Sequence, residues 1–137
     1  NGGTLVLIVG AGSKLFRAVF SFGTVADLRH YGKMIPVNYN KMRNAELLAR
    51  APHYWLPSVA SPVFVIEGVD GNIESLESMR NKSHNPYIKF LSIKGASHFT
   101  ILAPGNDLIA RKILLDDGAV SNLKLAESEI ISELSKK

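Results

Sequence analysis

A chain of 137 residues and 15.0 kDa is long enough for one domain with a buried core and too short for two ordinary domains. Apolar residues make up 46% of the chain and charged residues 20%, a balance that excludes a disordered protein, and no apolar run approaches the ~20 residues of a membrane span. The net charge of +4 is scattered along the chain and has no interleaved aromatic residues, so we expect no nucleic-acid partner.

The amino-terminal segment supports two interpretations. Residues 6–9 are apolar and lead into Gly10-Ala11-Gly12, which is the pattern of a strand followed by a dinucleotide-binding loop. However, Leu15 stands where that loop needs its third glycine, and residues 16–22 soon have an extended pattern. The other interpretation is a helix over residues 2–13, which its interior glycines and β-branched residues disfavour. The local pattern leaves both open.

The next elements are a strand and a helix separated by a long connection. Residues 15–23 are rich in aromatic and branched side chains and end in glycine, which predicts a buried strand. Residues 24–31 are expected to form a loop with a short helical turn. Residues 40–50 have the apolar spacing of a helix, and Ala51-Pro52 stops it.

Residues 62–68 form the clearest strand of the chain. They are nearly all apolar, as in a parallel strand covered on both faces. The elements predicted after it are a loop over residues 69–72, a helix over 73–81, a strand over 86–93, a helix from about Asn106 to Gly118 after Pro104 and Gly105, and a last helix over 121–134. Strands that alternate with helices predict an α/β fold with a parallel sheet and right-handed crossovers.

Three loops follow the predicted strands, over residues 23–27, 68–72 and 95–98. Because the carboxyl ends of parallel strands meet at one edge of a sheet, where ligands bind, these loops are expected to lie together. The third loop ends at His98, whose imidazole can take or give a proton near neutral pH. Taken alone, His98 is more simply a polar residue at the end of a strand; the acidic loop before it favours a site.

These residues together resemble a known family. Residues 62–68, an acidic loop, a helix and then Gly95-Ala96-Ser97-His98-Phe99 are similar to the carboxyl-terminal half of an α/β-hydrolase, and look closest to bacterial serine hydrolases of the prolyl-oligopeptidase-like kind. The resemblance covers roughly residues 1–118 and favours the helix at the amino terminus. It implies a partial α/β-hydrolase fold with about three parallel strands, helices on both faces, and a single domain over residues 1–137.

The resemblance also implies catalytic roles. His98 would be the general base that takes a proton from a serine and returns it to the leaving group. Asn1-Gly2-Gly3-Thr4 is similar to the segment that follows the nucleophile serine, so the backbone N–H of Asn1 would be one oxyanion donor. The nucleophile would then directly precede Asn1, outside the sequence.

The orienting acid is expected in the loop that follows Glu67. The family pattern places it three positions beyond Gly68, but Gly71 stands there. Asp70 is one residue earlier, Asn72 is one residue later, and Glu67 at the strand end also carries a carboxylate. We choose Asp70 as the triad acid, with Glu67 and Asn72 as open alternatives.

The predicted function is that of a serine-hydrolase fragment that cleaves a small-molecule ester or a peptide bond by acyl transfer. It would carry the histidine and acid of the triad but not the nucleophile. The alternatives are a non-catalytic α/β-hydrolase-like module and a dinucleotide-binding domain. In the family, the strand that carries the nucleophile lies beside the strand matched by residues 18–22. We therefore expect this chain to associate with the missing amino-terminal portion or with itself.

Other partners and cofactors are not expected. The absence of cysteine removes disulfides and thiolate metal sites and suits a cytoplasmic protein. The four histidines at positions 30, 53, 84 and 98 share no metal-ligand spacing, so no metal is predicted. No basic segment precedes the apolar residues 4–9, so they are a poor secretory signal and no membrane partner is expected.

Overall fold

A computed structural model describes residues 2–29 and 44–136. In chain order the elements are α1 (Gly2–Gly12), β1 (Val19–Phe22), α2 (Asn44–Ala49), β2 (Val63–Gly68), α3 (Ile73–Lys82), β3 (Ile88–Ile93), α4 (Leu102–Leu114) and α5 (Glu127–Leu134). Two short 3-10 turns, Pro52–Tyr54 and Leu56–Ser58, lie between α2 and β2. Along these two ranges no helix has the length and apolarity needed to span a bilayer.

The three strands form one parallel sheet in the order β1-β2-β3. Val63 of the central strand pairs with Val19 on one side and with Ile88 on the other. Every residue of β2 is buried, which explains its unbroken apolar run. The predicted α/β architecture is therefore confirmed, and the carboxyl ends of the three strands lie at one edge.

Helices cover both faces of this sheet, as predicted. Val63 and Val65 of β2 face a core shared with α1 and α3, where Leu7 and Met79 are buried. The alternate residues of β2 face a second core shared with α4 and α5. This alternation follows from the period of two along a strand. The buried members of the second core include Phe64, Ile66, Ile101, Leu108, Ile109 and Ile130.

The amino-terminal segment is helical, which resolves the two interpretations. Two of its glycines, Gly3 and Gly10, lie where α1 packs against β1. A Cβ on Gly3 would be 2.0 Å from the carbonyl oxygen of Phe22, and one on Gly10 would be 3.1 Å from a methyl of Val19. The residues that lower helix propensity are therefore the ones that let the helix lie on the strand. The strand required before a dinucleotide loop is absent from residues 2–12.

The predicted start of the fourth helix, at about Asn106, is wrong. α4 begins at Leu102 and contains Pro104 and Gly105 in its first turns. Proline is tolerated there because the first N–H groups of a helix have no intrahelical partner. Gly105 also allows close packing, since a Cβ there would be 3.0 Å from the ring of Phe22.

The last helix is shorter than the predicted residues 121–134. Before α5 the chain is non-helical, and its backbone is held by side chains instead: the N–H of Asn122 donates to Asp116 at 2.7 Å. The N–H of Ala126 donates to the carboxylate of Glu129 at 3.0 Å, which fixes the start of the helix. Part of the predicted loop over residues 24–31 and helix over 40–50 lies outside the described residues, and α2 is the described part of that helix.

Candidate active site

The loops after β2 and β3 are joined by backbone hydrogen bonds at the carboxyl edge of the sheet. The N–H of Val69 donates to the carbonyl of Ile93 at 3.0 Å, and the N–H of Asp70 donates to that of Ala96 at 3.1 Å. The turn after β1 lies beside them, with the N–H of Gly23 bonded to the carbonyl of Ile66 at 3.3 Å. These hydrogen bonds hold the three loops together at the carboxyl edge of the sheet.

The side chains of His98 and Glu67 meet at this edge of the sheet. The Nδ1 atom of His98 lies 3.2 Å from Oε2 of Glu67, and the other carboxylate oxygen accepts the N–H of Gly68 at 3.1 Å. The side chain of Glu67 is 2% exposed, whereas that of His98 is 33% exposed. Within the described part of the chain, no hydrogen-bond partner contacts Nε2 of His98. The carboxylate orients the ring through one nitrogen and leaves the other available for proton transfer.

The structure places Glu67, one of the open alternatives, beside His98, and it does not place Asp70, the predicted acid, there. Asp70 is exposed, and its N–H is bonded to Ala96, whereas the carboxylate in contact with His98 is that of Glu67. Asn72 also takes another role, because its amide nitrogen donates to the carbonyl of Gly23 at 3.4 Å. The sequence did hold a signal for Glu67, since a charged residue in an otherwise apolar buried strand requires a partner.

Two glycines enclose the pair. Gly23 has a φ of +64°, and a Cβ there would lie 2.1 Å from Cε1 of His98 and 3.1 Å from Oε2 of Glu67. A Cβ on Gly71 would lie 2.1 Å from Oε1 of Glu67 and 3.0 Å from the backbone nitrogen of His98. Gly71, which interrupts the family pattern, therefore leaves the space that the carboxylate of Glu67 occupies, and a larger residue there would displace that carboxylate.

The amino-terminal end of α1 reaches the same turn. The hydroxyl of Ser21 donates to the carbonyl of Gly3 at 2.9 Å, and the hydroxyl oxygen of Thr4 accepts the N–H of Val25 at 3.1 Å. The helix start is thus joined to the turn at Gly23 that contacts His98. The N–H groups at the start of a helix and the helix dipole favour negative charge. Asn1, the predicted oxyanion donor, lies outside the described residues.

A third carboxylate at this edge is already paired. Asp27 is buried and receives both the backbone N–H and the Nε–H of Arg29, each at 2.9 Å. This pairing raises the pKa of the Arg29 guanidinium above its usual value. In residues 2–29 and 44–136 no three histidine, aspartate or glutamate side chains are grouped as metal ligands would be.

A cavity of ≈ 540 Å³, which is within the size range of small-molecule sites, begins at Gly71, beside the pair. Its lining is mostly polar and comes from the start of α3: Gly71, Asn72, Ile73, Glu74, Ser75 and Ser78. Gly71 lies against Glu67 and also lines this cavity, so the cavity adjoins the candidate site.

No family model matches the sequence, and no curated protein matches it. Among solved structures, the crystal structure of a 2,6-dihydroxy-pseudo-oxynicotine hydrolase is similar, with a TM-score of 0.53 and 17% sequence identity. The chain has part of an α/β-hydrolase fold. The match covers 70% of this chain and 31% of that one, so this chain corresponds to less than a third of the hydrolase. At this identity the likeness is one of fold, and the closer resemblance to prolyl-oligopeptidase-like enzymes stays a prediction.

Proposed function

We propose that this chain supplies the histidine and the acid of a serine-hydrolase triad, with His98 as the general base and Glu67 as the orienting acid. The observation that carries the proposal is the 3.2 Å contact between the partly exposed imidazole and the buried carboxylate. Their place at the carboxyl edge of a parallel sheet is where α/β folds bind ligands. The likeness in fold to a hydrolase supports the same reading.

In this proposal Nε2 of His98 takes the proton of a serine hydroxyl as the serine oxygen attacks the substrate carbonyl carbon. The carboxylate of Glu67 accepts a hydrogen bond from Nδ1–H of His98 and stabilises the imidazolium that forms. The proton then passes from Nε2 to the leaving alcohol or amine, and water repeats the cycle on the acyl-enzyme. The serine is expected directly before Asn1, whose N–H would face the developing oxyanion at the start of α1.

The proposed substrate is a small-molecule ester or a peptide. The triad chemistry is common to both, because each presents a carbonyl carbon with an alcohol or amine leaving group. The polar cavity that begins at Gly71 is large enough for a compact polar group of such a substrate.

A serine placed before Asn1 tests this mechanism. We expect a form extended by Gly-Ala-Ser to hydrolyse p-nitrophenyl esters and to be labelled by a fluorophosphonate at that serine, whereas a Gly-Ala-Ala extension and the unextended chain are not labelled. Removing the base with His98→Ala should lower kcat/KM by about 10²–10⁴-fold. Glu67→Gln should also lower kcat, because the neutral amide does not stabilise the imidazolium.

Asp70→Asn is the matched control, because it removes an exposed carboxylate from the same loop. It should leave kcat near that of the extended parent. A loss of kcat with Asp70→Asn and none with Glu67→Gln would contradict the assignment of Glu67. Equal esterase activity with serine and alanine extensions, in samples that give the same circular dichroism spectrum, would contradict the proposed function itself.

A further inference from the structure

Three buried hydroxyl groups lie between the start of α1 and the turn that follows β1. They belong to Thr4, Ser21 and Thr24, which are 6%, 0% and 2% exposed. We call these three residues the hydroxyl cluster. Burying a hydroxyl group costs free energy unless the group is hydrogen-bonded, so each member of the cluster needs a partner in the interior.

The hydrogen bonds of the cluster cross from one element to another. The hydroxyl of Ser21 donates to the carbonyl of Gly3 at 2.9 Å, although the two residues are 18 positions apart. Since Ser21 has one hydroxyl hydrogen, its hydrogen bond with Thr24 uses the hydrogen of Thr24. The hydroxyl oxygen of Thr4 accepts the N–H of Val25 at 3.1 Å, across 21 positions. Two directed bonds therefore join the first turn of α1 to the turn after β1.

The same turn is also held on the side of His98. The N–H of Gly23 donates to the carbonyl of Ile66 at 3.3 Å, and the carbonyl of Gly23 accepts the side-chain amide of Asn72 at 3.4 Å. A Cβ on Gly23 would overlap Cε1 of His98, so one Hα of this glycine points at the imidazole. The turn is thus bonded to α1 on one side and lies against the catalytic candidate on the other.

Apolar packing gives α1 only a weak hold on β1. The buried residues of this helix are Thr4, Leu7, Gly10 and Ala11, and of these only Leu7 has a large apolar side chain. Small residues let the helix approach the strand, but they present no side chain that interlocks with it. The hydrophobic effect is also non-directional, whereas a hydrogen bond has a defined length and direction. The hydroxyl cluster therefore supplies a constraint that the packing does not.

We propose that the hydroxyl cluster sets the distance between the start of α1 and His98, so that its three members are positioning residues of the triad. The inference rests on the proposed function, in which the serine directly precedes Asn1 and so lies at the start of α1. Proton transfer requires the serine oxygen and Nε2 of His98 to be within hydrogen-bond reach. The cluster keeps the serine side and the histidine side of the triad at a constant separation.

Matched substitutions separate the hydroxyl group from the volume of the side chain. Thr4→Val keeps the shape and removes the oxygen that accepts the N–H of Val25, whereas Thr4→Ser keeps the oxygen and removes a methyl group. Ser21→Ala removes the bond to Gly3. The double variant Thr4→Val/Ser21→Ala therefore breaks both bonds between α1 and the turn, and Thr4→Ser is its control.

Nuclear magnetic resonance on the unextended chain tests the geometry without the serine. A Cβ on Gly3 would be 3.2 Å from the backbone nitrogen of Thr24, so the nuclear Overhauser effect between Hα of Gly3 and the amide of Thr24 reports the distance from α1 to the turn. We expect it to weaken in the double variant and to persist in Thr4→Ser. The effect between Hα of Gly23 and Hε1 of His98 is the internal control and should persist in both.

Kinetics on the form extended by Gly-Ala-Ser test the consequence for the reaction. The double variant should lower kcat by about 10–100-fold and leave KM little changed, because a displacement of about 1 Å slows the chemistry without removing a substrate contact. Thr4→Ser should keep kcat near that of the extended parent. The pH dependence of kcat/KM should keep its shape in every variant, because His98 retains its contact with Glu67.

A double variant that lowers Tm but leaves kcat and the Gly3–Thr24 effect unchanged would overturn the proposal, because the hydroxyls would then serve stability alone. Equal losses of kcat in Thr4→Val and Thr4→Ser would overturn it too, since the methyl group would matter and not the oxygen. If the double variant does not fold, the single variants Thr4→Val and Ser21→Ala carry the same test. An extended parent without esterase activity would contradict the proposed function, and the resonance measurement would still decide whether the cluster sets the distance.

Discussion

At the residue scale, Gly23 and Gly71 make room for the carboxylate and imidazole that the proposed chemistry uses. Each would place a Cβ within 2.1 Å of Glu67 or His98, so neither position accepts a side chain while the pair keeps its geometry. The buried carboxylate is costly unless it is paired, and the imidazole is its partner. The two glycines and the two polar residues therefore act as one unit.

Gly23→Ala should destabilise the protein by more than the backbone strain alone, because it also disturbs the site. The residue has a positive φ, so alanine costs about 1–2 kcal/mol, and its methyl also displaces the ring of His98. Gly95→Ala is the control, because Gly95 has a φ of +75° but nothing lies within 4 Å of its Cβ. Urea unfolding should show a larger loss of stability for Gly23→Ala, and only this variant should change the ¹H–¹⁵N signals of the His98 ring. Equal effects of the two variants would count against the close contact.

The sequence predicted His98 and its turn, but it left the acid open. The choice of Asp70 relied on spacing in the loop, where Gly71 occupies the position at which the family pattern places the acid. Glu67 could have been chosen on physical grounds, because the strand around it is buried on both faces and a carboxylate there needs a partner. The role of Gly23 depends on contacts with residues far away along the chain, and no local pattern reports them.

At the element scale, the close approach of α1 to β1 determines how the amino terminus meets the site. Gly3 and Gly10 lie seven positions apart on one side of the helix and face Phe22 and Val19. Their lack of side chains lets the helix backbone lie against the strand, so that the helix start reaches the turn at Gly23. The cost in helix propensity is offset by this packing.

Gly3→Ala should destabilise the protein, because its methyl would lie 2.0 Å from the backbone oxygen of Phe22, which a side-chain rotation cannot relieve. We expect a loss of roughly 1–3 kcal/mol in the free energy of unfolding. Gly12→Ala is the control in the same helix, with nothing within 4 Å, and should be neutral or stabilise by up to about 1 kcal/mol. Denaturant titration measures both. If Gly3→Ala were as stable as Gly12→Ala, the helix would not lie this close to the strand.

The elements that the sequence predicted well are those with long, one-sided or fully apolar patterns. β2, α3 and β3 were placed within two residues of their ends. The start of α4 was missed because Pro104 and Gly105 have the pattern of a helix break, whereas in the fold they lie in the first turn of the helix and Gly105 faces the ring of Phe22. α5 was predicted too long because apolar residues before it, such as Leu125, are buried although the chain there is not helical.

At the scale of the whole molecule, Arg17 joins the segment before β1 to the connection between α4 and α5. Its guanidinium donates to Asp116 at 2.5 Å and to the carbonyls of Asp117 and Gly118 at 2.8 Å and 2.9 Å. Asp116 lies 99 positions from Arg17 and also accepts the N–H of Asn122. One arginine thus fixes a loop that would otherwise have few backbone partners, and sequence spacing alone gives no sign of this long-range contact.

The same contact makes stability depend on pH. The bond from Arg17 is the main cause that lowers the pKa of Asp116 from 3.8 to about 2. Because the folded-state pKa is depressed, the stabilisation is fully present above the unfolded-state value and is lost as the pH falls from about 4 to about 2. Arg17→Gln should therefore lower Tm at neutral pH. The difference in Tm between this variant and the parent protein should become smaller as the pH falls from about 4 to about 2.

Arg50→Gln is the matched control, since it removes an arginine from an exposed pair with Glu46 four residues away. Such pairs contribute only about 0.3–0.5 kcal/mol, so its Tm should stay close to that of the parent. Thermal unfolding followed by circular dichroism from neutral pH down to about pH 2 separates the two variants. A Tm difference for Arg17→Gln that stays constant through the window would mean that the arginine stabilises the protein without the charge of Asp116. Its hydrogen bonds to the carbonyls of Asp117 and Gly118 would then account for the effect.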